Sequence, residues 1–281
     1  MDVTFIGVGA IGLPMALRIQ KAGHAVTGVD VSATVVAHAN ASGIRTVGDV
    51  ADAPAAGVVV VMVATPDQLA ALVRRVGDSV RGQLWVVMST VGPQSVREQG
   101  EILERAGARV VDAPVTGGVA RARTGALVVF AAGAPDDVAS ARPVLDAMGT
   151  VRVTGDRLGD GQGIKVVNQH LCAIHIVAAA EALVLARSLG LDPATVLPLI
   201  EHGAAGSWML SDRGPRMLAG TDVEVTSSID IFVKDSGLVA GAGRACGADL
   251  PLLDIAADRF RRAADQGLGR RDDSRVIETW T

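Results

Sequence analysis

Val3-Thr4-Phe5-Ile6-Gly7-Val8-Gly9-Ala10-Ile11-Gly12 opens the chain, and an acid, Asp30, ends the segment behind it. Val3 to Ile6 is a short apolar run that reads as a buried strand. A glycine turn follows at once, Leu13 to Lys21 reads as a helix ending at Ala22-Gly23, and Ala25 to Val29 reads as a second strand. Strand, glycine turn, helix, strand and acid is the order that dinucleotide binding needs. The first glycine permits the tight turn, the second lets the backbone approach a pyrophosphate, and the third lets helix and strand pack closely. The helix N-terminus then faces the phosphates. Gly7, Val8, Gly9, Ala10, Ile11 and Gly12 are therefore candidate cofactor-binding residues. A carboxylate at Asp30 can accept from both ribose hydroxyls but repels a 2′-phosphate, and Val31-Ser32 rather than arginine follows it. This points to NAD, with NADP still possible. The alternative role for Asp30 is to cap the helix that begins near Ser32.

Strand and helix keep alternating beyond this unit. Gly57 to Val63 is a valine-rich run of the kind a parallel strand covered on both faces needs. Ala64-Thr65-Pro66 breaks it before a helix from Asp67 to Val76. Leu84 to Met88 is the next strand, ending on Ser89-Thr90 ahead of a helix to Ala106. Arg109 to Asp112 and Ala126 to Ala131 are two more, separated by the glycine loop 113–125. Ligands of open parallel sheets bind beyond the carboxyl ends of the strands, where Val63, Ala64 and Thr90 join the cofactor candidates. Thr116-Gly117-Gly118 is either an anion nest for a carboxylate or an ordinary turn. After Val153 the strand signal fades, and helical segments follow over 163–189, 193–202, 230–246 and 252–266. The expected fold class is α/β: a Rossmann-type parallel-sheet domain over residues 1–158, then an all-α domain over 159–281 for substrate and oligomerisation.

At the junction stands Gly159-Asp160-Gly161-Gln162-Gly163-Ile164-Lys165-Val166-Val167-Asn168-Gln169. Lys165, Asn168 and Gln169 are three and four apart, so they share one side of the predicted helix. A lysine beside two amides suits a reaction in which a carbonyl oxygen gains or loses a proton. The positive end of the helix disfavours an ammonium, so Lys165 is expected to titrate below a free lysine. The competing reading is a surface lysine in a first helical turn. Arg121 and Arg123 either add charge to a substrate pocket or are solvated, and Arg121, Arg123, Arg213 and Arg216 leave room for a sulfonate or phosphonate as well as a carboxylate. Ser207-Trp208 marks either a pocket wall or core filler. Lys234-Asp235 interrupts an apolar helical stretch, and Lys234 would reach across a cleft to the first domain.

Composition narrows the classes. The chain has 281 residues, enough for two cores. A net charge of −4 and 2% aromatic residues give neither a nucleic-acid surface nor stacking platforms. The five histidines show no metal-ligand spacing, so no metal is expected. Two cysteines without a CxxC pair, and no signal peptide ahead of Met1-Asp2-Val3, point to a reducing cytoplasm. Cys172 reads as a packed small group rather than a nucleophile. The apolar run 174–185 is read as a buried helix rather than a membrane span, since charged residues interrupt and flank it.

Five stretches in order resemble the β-hydroxyacid dehydrogenase family, the match covering nearly the whole chain. Phe5 to Ala16 with Ala22-Gly23-His24 looks like its N-terminal signature. Met88-Ser89-Thr90-Val91 looks like its strand-end motif, whose threonine contacts the cofactor. Asp112-Ala113-Pro114-Val115-Thr116-Gly117-Gly118 is similar to its substrate loop, with threonine where serine is usual. Gly159-x-Gly161-Gln162-x-x-Lys165-x-x-Asn168-Gln169 is similar to its catalytic helix start, and Lys234-Asp235 to its late Lys-Asp pair. The resemblance implies Lys165 as general acid/base, Thr116, Gly117, Gly118, Asn168, Gln169 and Lys234 at the substrate, and Lys234 near the cofactor as well. It also implies a small β-hydroxyacid and its semialdehyde as substrates, and a homodimer or homotetramer that uses the long helix. Arg18 replaces the usual asparagine, Ile11 a common methionine, and Gln169 a common asparagine. The last change is found in the tartronate-semialdehyde type of member. An imine reductase or a silent dinucleotide-binding scaffold are the rivals, and both usually lack a lysine at this position.

Overall fold

A computed structural model of the chain describes residues 1–280. They form two compact units, Met1–Lys165 and a second from Val166 onward. The strands are β1 (Asp2–Ile6), β2 (Ala25–Val29), β3 (Thr46–Val47), β4 (Val58–Val61), β5 (Leu84–Val87), β6 (Arg109–Asp112), β7 (Val115–Thr116), β8 (Leu127–Ala132) and β9 (Gly149–Gly155). The helices are α1 (Gly12–Lys21), α2 (Ala33–Ala41), α3 (Pro66–Val76), α4 (Pro93–Arg105), α5 (Gly118–Thr124), α6 (Pro135–Leu145), α7 (Asp160–Ser188), α8 (Pro193–Ile200), α9 (Trp208–Leu218), α10 (Ile229–Cys246) and α11 (Pro251–Ala263).

In the first unit the strand order is β3-β2-β1-β4-β5-β6-β8-β7, with β9 paired to β8. From β3 to β6 every pairing is parallel, while β8 runs antiparallel to β6 and β7. The residues make this sheet because its middle strands are apolar on both sides. Val58-Val59-Val60-Val61 and Leu84-Trp85-Val86-Val87 are buried throughout, one side packing with Phe5, Met15 and Ile19 and the other with Leu69, Val96 and Leu103. Each such buried side chain is worth roughly 1.5–3 kcal/mol of transfer free energy. Trp85 is fully buried and its Nε1–H donates to Gln83 Oε1 at 3.0 Å. Reversals between parallel strands are closed by local signals, as at Thr65-Pro66-Asp67-Gln68. There Thr65 Oγ1 accepts from Gln68 N, and Gln68 Oε1 accepts from Ala64 N.

Four elements departed from the sequence reading. The glycine loop 113–125 contains β7 and the short α5. Residues 135–145 and 208–218 form α6 and α9, which Pro135, Pro143, Gly214 and Pro215 had hidden. Each starts at a recognisable helix signal, a proline in the first turn of α6 and a Ser207 cap on Leu210 N in α9.

The second unit is helical. Its core gathers Ala173, Ile176, Val177, Ala180 and Leu183 of α7 with Met209, Phe232, Leu253 and Phe260, the two phenylalanines stacked at 4.9 Å. By length and composition α7 is apolar enough to cross a membrane. Its inner side is committed to this core, while Val167, Leu171, Ala178 and Leu185 form an exposed stripe on the other.

Candidate active site

The turn after β1 gives Gly7 and Gly12 the close backbone approaches that only glycine allows. Gly7 has φ 91°, and a Cβ there would stand 2.3 Å from the Met62 carbonyl oxygen. At Gly12 a Cβ would stand 1.9 Å from the Gly7 carbonyl oxygen, so α1 approaches β1 only because the side chain is absent. A Cβ at Gly9 would meet nothing within 4 Å. That open space lies at the start of α1, where no side chain caps the first turn. A cradle closed by glycine on two sides and open on the third, under uncapped N–H groups, fits a dinucleotide pyrophosphate. Asp30 follows β2, and its Oδ1 accepts from Ser32 N at 3.0 Å. Ser32, not Asp30, is the N-cap of α2. Val63, Ala64 and Thr90 lie just past β4 and β5, on the same carboxyl edge of the sheet.

The substrate-loop candidates are also in the first unit. Thr116 ends β7, and Gly117 and Gly118, with φ 127° and 65°, turn the chain into α5. The Arg121 stem lies over Gly117, where a Cβ would come within 2.7 Å of it. At the far end of α5 the Arg18 guanidinium covers Gly125, 2.6 Å from where a Cβ would be. The arginine that departs from the family signature thus lies between α1 and the C-terminal end of α5.

Lys165 stands on α7, only 7% exposed. The helix begins at Asp160 rather than near Gly163, so Lys165 is its sixth residue. The reading of a surface lysine in a first turn is overturned, and so is the dipole argument, since that field fades within one turn. Asn168 and Gln169 follow one turn on. Asn168 Nδ2 donates to Gln169 Oε1 at 2.9 Å and to Cys172 Sγ at 3.3 Å, which accounts for Cys172 as a packed group. Gln169 Nε2 donates to Asp235 Oδ2 at 2.5 Å, and Lys234 Nζ is 2.8 Å from Asp235 Oδ1. Asp235, buried on α10, therefore orients Gln169 and holds Lys234 together.

The start of α7 contains a feature the sequence reading passed over. Asp112, at the end of β6, is wholly buried. Its Oδ2 accepts from Gly159 N at 3.0 Å and Gln162 N at 2.9 Å, and its Oδ1 from Gln162 Nε2 at 3.0 Å. A carboxylate from a strand thus supplies the cap that α7 lacks in its own sequence. Gly161 permits it, because a Cβ there would lie 2.4 Å from the Phe130 carbonyl oxygen. Burial pushes the Asp112 pKa up to about 6, against the bonds from Gln162, Gly159 and Gly161 that pull it down. The folded protein therefore binds this proton more tightly than the unfolded chain. Its contribution to stability is lost as pH rises from the ordinary 3.8 through about 6 and stays flat above. A rise of that size is worth roughly 3 kcal/mol. Asp112→Asn should accordingly cost more at pH 4 than at pH 7, and urea unfolding at the two values measures this. An equal cost at both would contradict the assignment.

Arg213 and Arg216 are not substrate groups. Arg213 is 7% exposed, with Nε and Nη2 on the two oxygens of Asp273 at 2.9 and 2.8 Å and Nη1 on Asp212. Arg216 spends its guanidinium on Asp212, Thr226 and Asp272. Trp208 is 44% exposed, with the Arg213 guanidinium 5.8 Å from its ring centre, so it is not core filler. Among the described residues no three His, Cys, Asp or Glu side chains converge as metal ligands.

Comparison with known proteins agrees with this geometry. Residues 2–159 match the family model described as the NAD binding domain of 6-phosphogluconate dehydrogenase. Residues 159–280 match the one described as NAD-binding of NADP-dependent 3-hydroxyisobutyrate dehydrogenase. L-threonate dehydrogenase of Cupriavidus necator is 34% identical, over 99% of this chain and 95% of its own. 2-(Hydroxymethyl)glutarate dehydrogenase of Eubacterium barkeri is 30% identical, over 100% of this chain and 95% of its own. The crystal structure of 3-hydroxyisobutyrate dehydrogenase from Salmonella typhimurium superposes with a TM-score of 0.90 at 32% identity, covering 99% of each chain. With its glycine cradle, its strand-end residues and its helical second unit, the chain belongs to the β-hydroxyacid dehydrogenase family and is an NAD(P)-dependent oxidoreductase acting on CH–OH groups.

Proposed function

We propose that the protein interconverts a small β-hydroxyacid and its semialdehyde or keto form, with Lys165 moving the proton. The observation that carries this is a lysine buried on α7 one turn from two oriented amides. Gly7–Gly12, Asp30, Val63, Ala64 and Thr90 would hold the dinucleotide, which would supply hydride-transfer chemistry there. Lys165 accepts the hydroxyl proton in oxidation and returns it to the carbonyl oxygen in reduction. Thr116, Gly117 and Gly118 hold the acid group, Asn168 and Gln169 orient the lysine and the substrate, and Lys234 completes the binding of substrate and cofactor. A carboxylate is the favoured acid group: with Arg213 and Arg216 committed to aspartates, two of the cations that left room for a sulfonate or phosphonate are gone. The substrates named for the relatives, L-threonate, 2-(hydroxymethyl)glutarate and 3-hydroxyisobutyrate, share a carboxylate with a hydroxyl on the β-carbon. Asp30 supports NAD over NADP, because a carboxylate at the end of β2 repels a 2′-phosphate.

One panel tests the proposal. NAD+ and NADP+ reduction is measured with those three acids, glycerate, 3-hydroxypropionate, serine, sulfolactate and hydroxyphosphonates. A β-hydroxycarboxylate is expected to lead, with NAD+ preferred about tenfold, equivalent to roughly 1.4 kcal/mol. Preference for a sulfonate, or for NADP+, would remove the corresponding part. The exposed stripe of α7 supports a homodimer or homotetramer, and light scattering that returned 28.7 kDa would remove it. Two cysteines without a CxxC pair support a cytoplasmic setting, which fractionation of cells would check.

A further inference from the structure

Gln162 is fully buried and uses every hydrogen-bonding position of its amide within the first unit. Oε1 accepts from Val91 N and Gly92 N, both at 3.0 Å. Nε2 donates to the Ser89 carbonyl at 2.9 Å and to Asp112 Oδ1 at 3.0 Å. Two donors face its oxygen and two acceptors face its nitrogen, so only one orientation of the amide satisfies all four. The turn it grips, Ser89 to Gly92, carries Thr90. The helix turn it belongs to carries Lys165 three residues on.

We infer that Gln162 is a positioning residue for the reaction: one side-chain amide locks the Thr90 turn to the first turn of α7, holding Lys165 in register with the cofactor-contacting strand end. This rests on the reading of Lys165 as the proton-transfer group. Its physical basis is that a misplaced acid–base group lowers the rate of the chemical step far more than it lowers binding. Gln162→Glu keeps an acceptor for Val91 and Gly92 but sets its second oxygen against the Ser89 carbonyl and the Asp112 carboxylate. Adding Asp112→Asn turns a donor toward that oxygen and restores one of the two lost bonds.

The test uses the full-length enzyme with its best substrate. Gln162→Glu is expected to lower kcat about tenfold to a hundredfold with KM for hydroxyacid and cofactor changed less than about threefold. The isotope effect with substrate deuterated at the carbinol carbon should rise, since chemistry becomes slower. Asp112→Asn/Gln162→Glu should recover at least about a third of the lost logarithm of kcat. A kcat within twofold of wild type, a loss confined to KM, or a double variant no better than the single would overturn the inference. If Gln162→Glu does not fold, Gln162→Met carries the same decision on kcat, KM and isotope effect. Turnover that survives Lys165→Ala removes the underlying reading, whereas turnover that needs Lys165 but ignores Gln162 removes this inference alone.

Discussion

Lys165→Ala is expected to bind NAD+ and NADH within about twofold of wild type while hydroxyacid turnover falls about a thousandfold, the scale of a lost general acid–base group. The separation follows from where the parts lie. The pyrophosphate cradle is built from Gly7, Gly9 and Gly12 and owes nothing to the lysine. Lys165 is buried, so alanine also removes packed methylenes and some stability. Lys165→Met, which keeps the stem and deletes the amine, controls for that and should be as inactive as alanine. Lys165→Arg keeps a cation but cannot release its proton near neutral pH, so it should not restore the rate. Stopped-flow hydride transfer and fluorescence titration of the cofactor give the two numbers. Turnover of Lys165→Met within tenfold of wild type would sink the mechanism.

The second large effect concerns stability. Arg213→Met is expected to destabilise the fold by about 3–5 kcal/mol, because Asp273 is then left buried and charged without its partner. Burial works against the Arg213 charge, but Asp273 and Asp212 more than offset it and hold its pKa above the ordinary guanidinium value. The cluster is shared: Arg216 bridges Asp212 and Asp272, and Arg275 donates to the backbone carbonyls of Arg216 and Ala219. Asp273→Asn should cost less than Arg213→Met, since an amide carries no charge to strand. Replacing both partners by apolar residues should recover most of the loss. Urea midpoints of the two singles and the double form the cycle. A cost below about 1 kcal/mol for Arg213→Met would place the pair with ordinary surface bridges.

The sheet was legible because its signals are local and repeated: runs such as Val58–Val61 can be covered only from both sides, and Gly7, Gly9 and Gly12 have spacings with a mechanical reason. The start of α7 was less so. Its cap comes from Asp112, almost fifty residues away, and no window along the chain contains both partners. Gln162 stood in plain sight within the glycine-rich run, but its four partners belong to two distant segments, the turn 89–92 and Asp112. Arg213 and Arg216 looked like pocket cations for the same reason. Their aspartates Asp272 and Asp273 lie at the other end of the unit's sequence, so charge was visible and commitment was not. Hidden helices followed from proline and glycine, which end helices more often than they sit within them.

Trp85 has an optical consequence. The chain has no tyrosine and three tryptophans, of which the first unit holds Trp85 alone, sealed in its sheet with its indole N–H on Gln83. Trp208 is half exposed, and Trp280 lies under the Arg259 guanidinium, 3.8 Å from its ring centre. Emission from the sheet unit is therefore that of a single dry chromophore. With Trp208→Phe and Trp280→Phe the helical unit becomes dark, and a red shift on denaturation reports the melting of the dinucleotide-binding unit by itself.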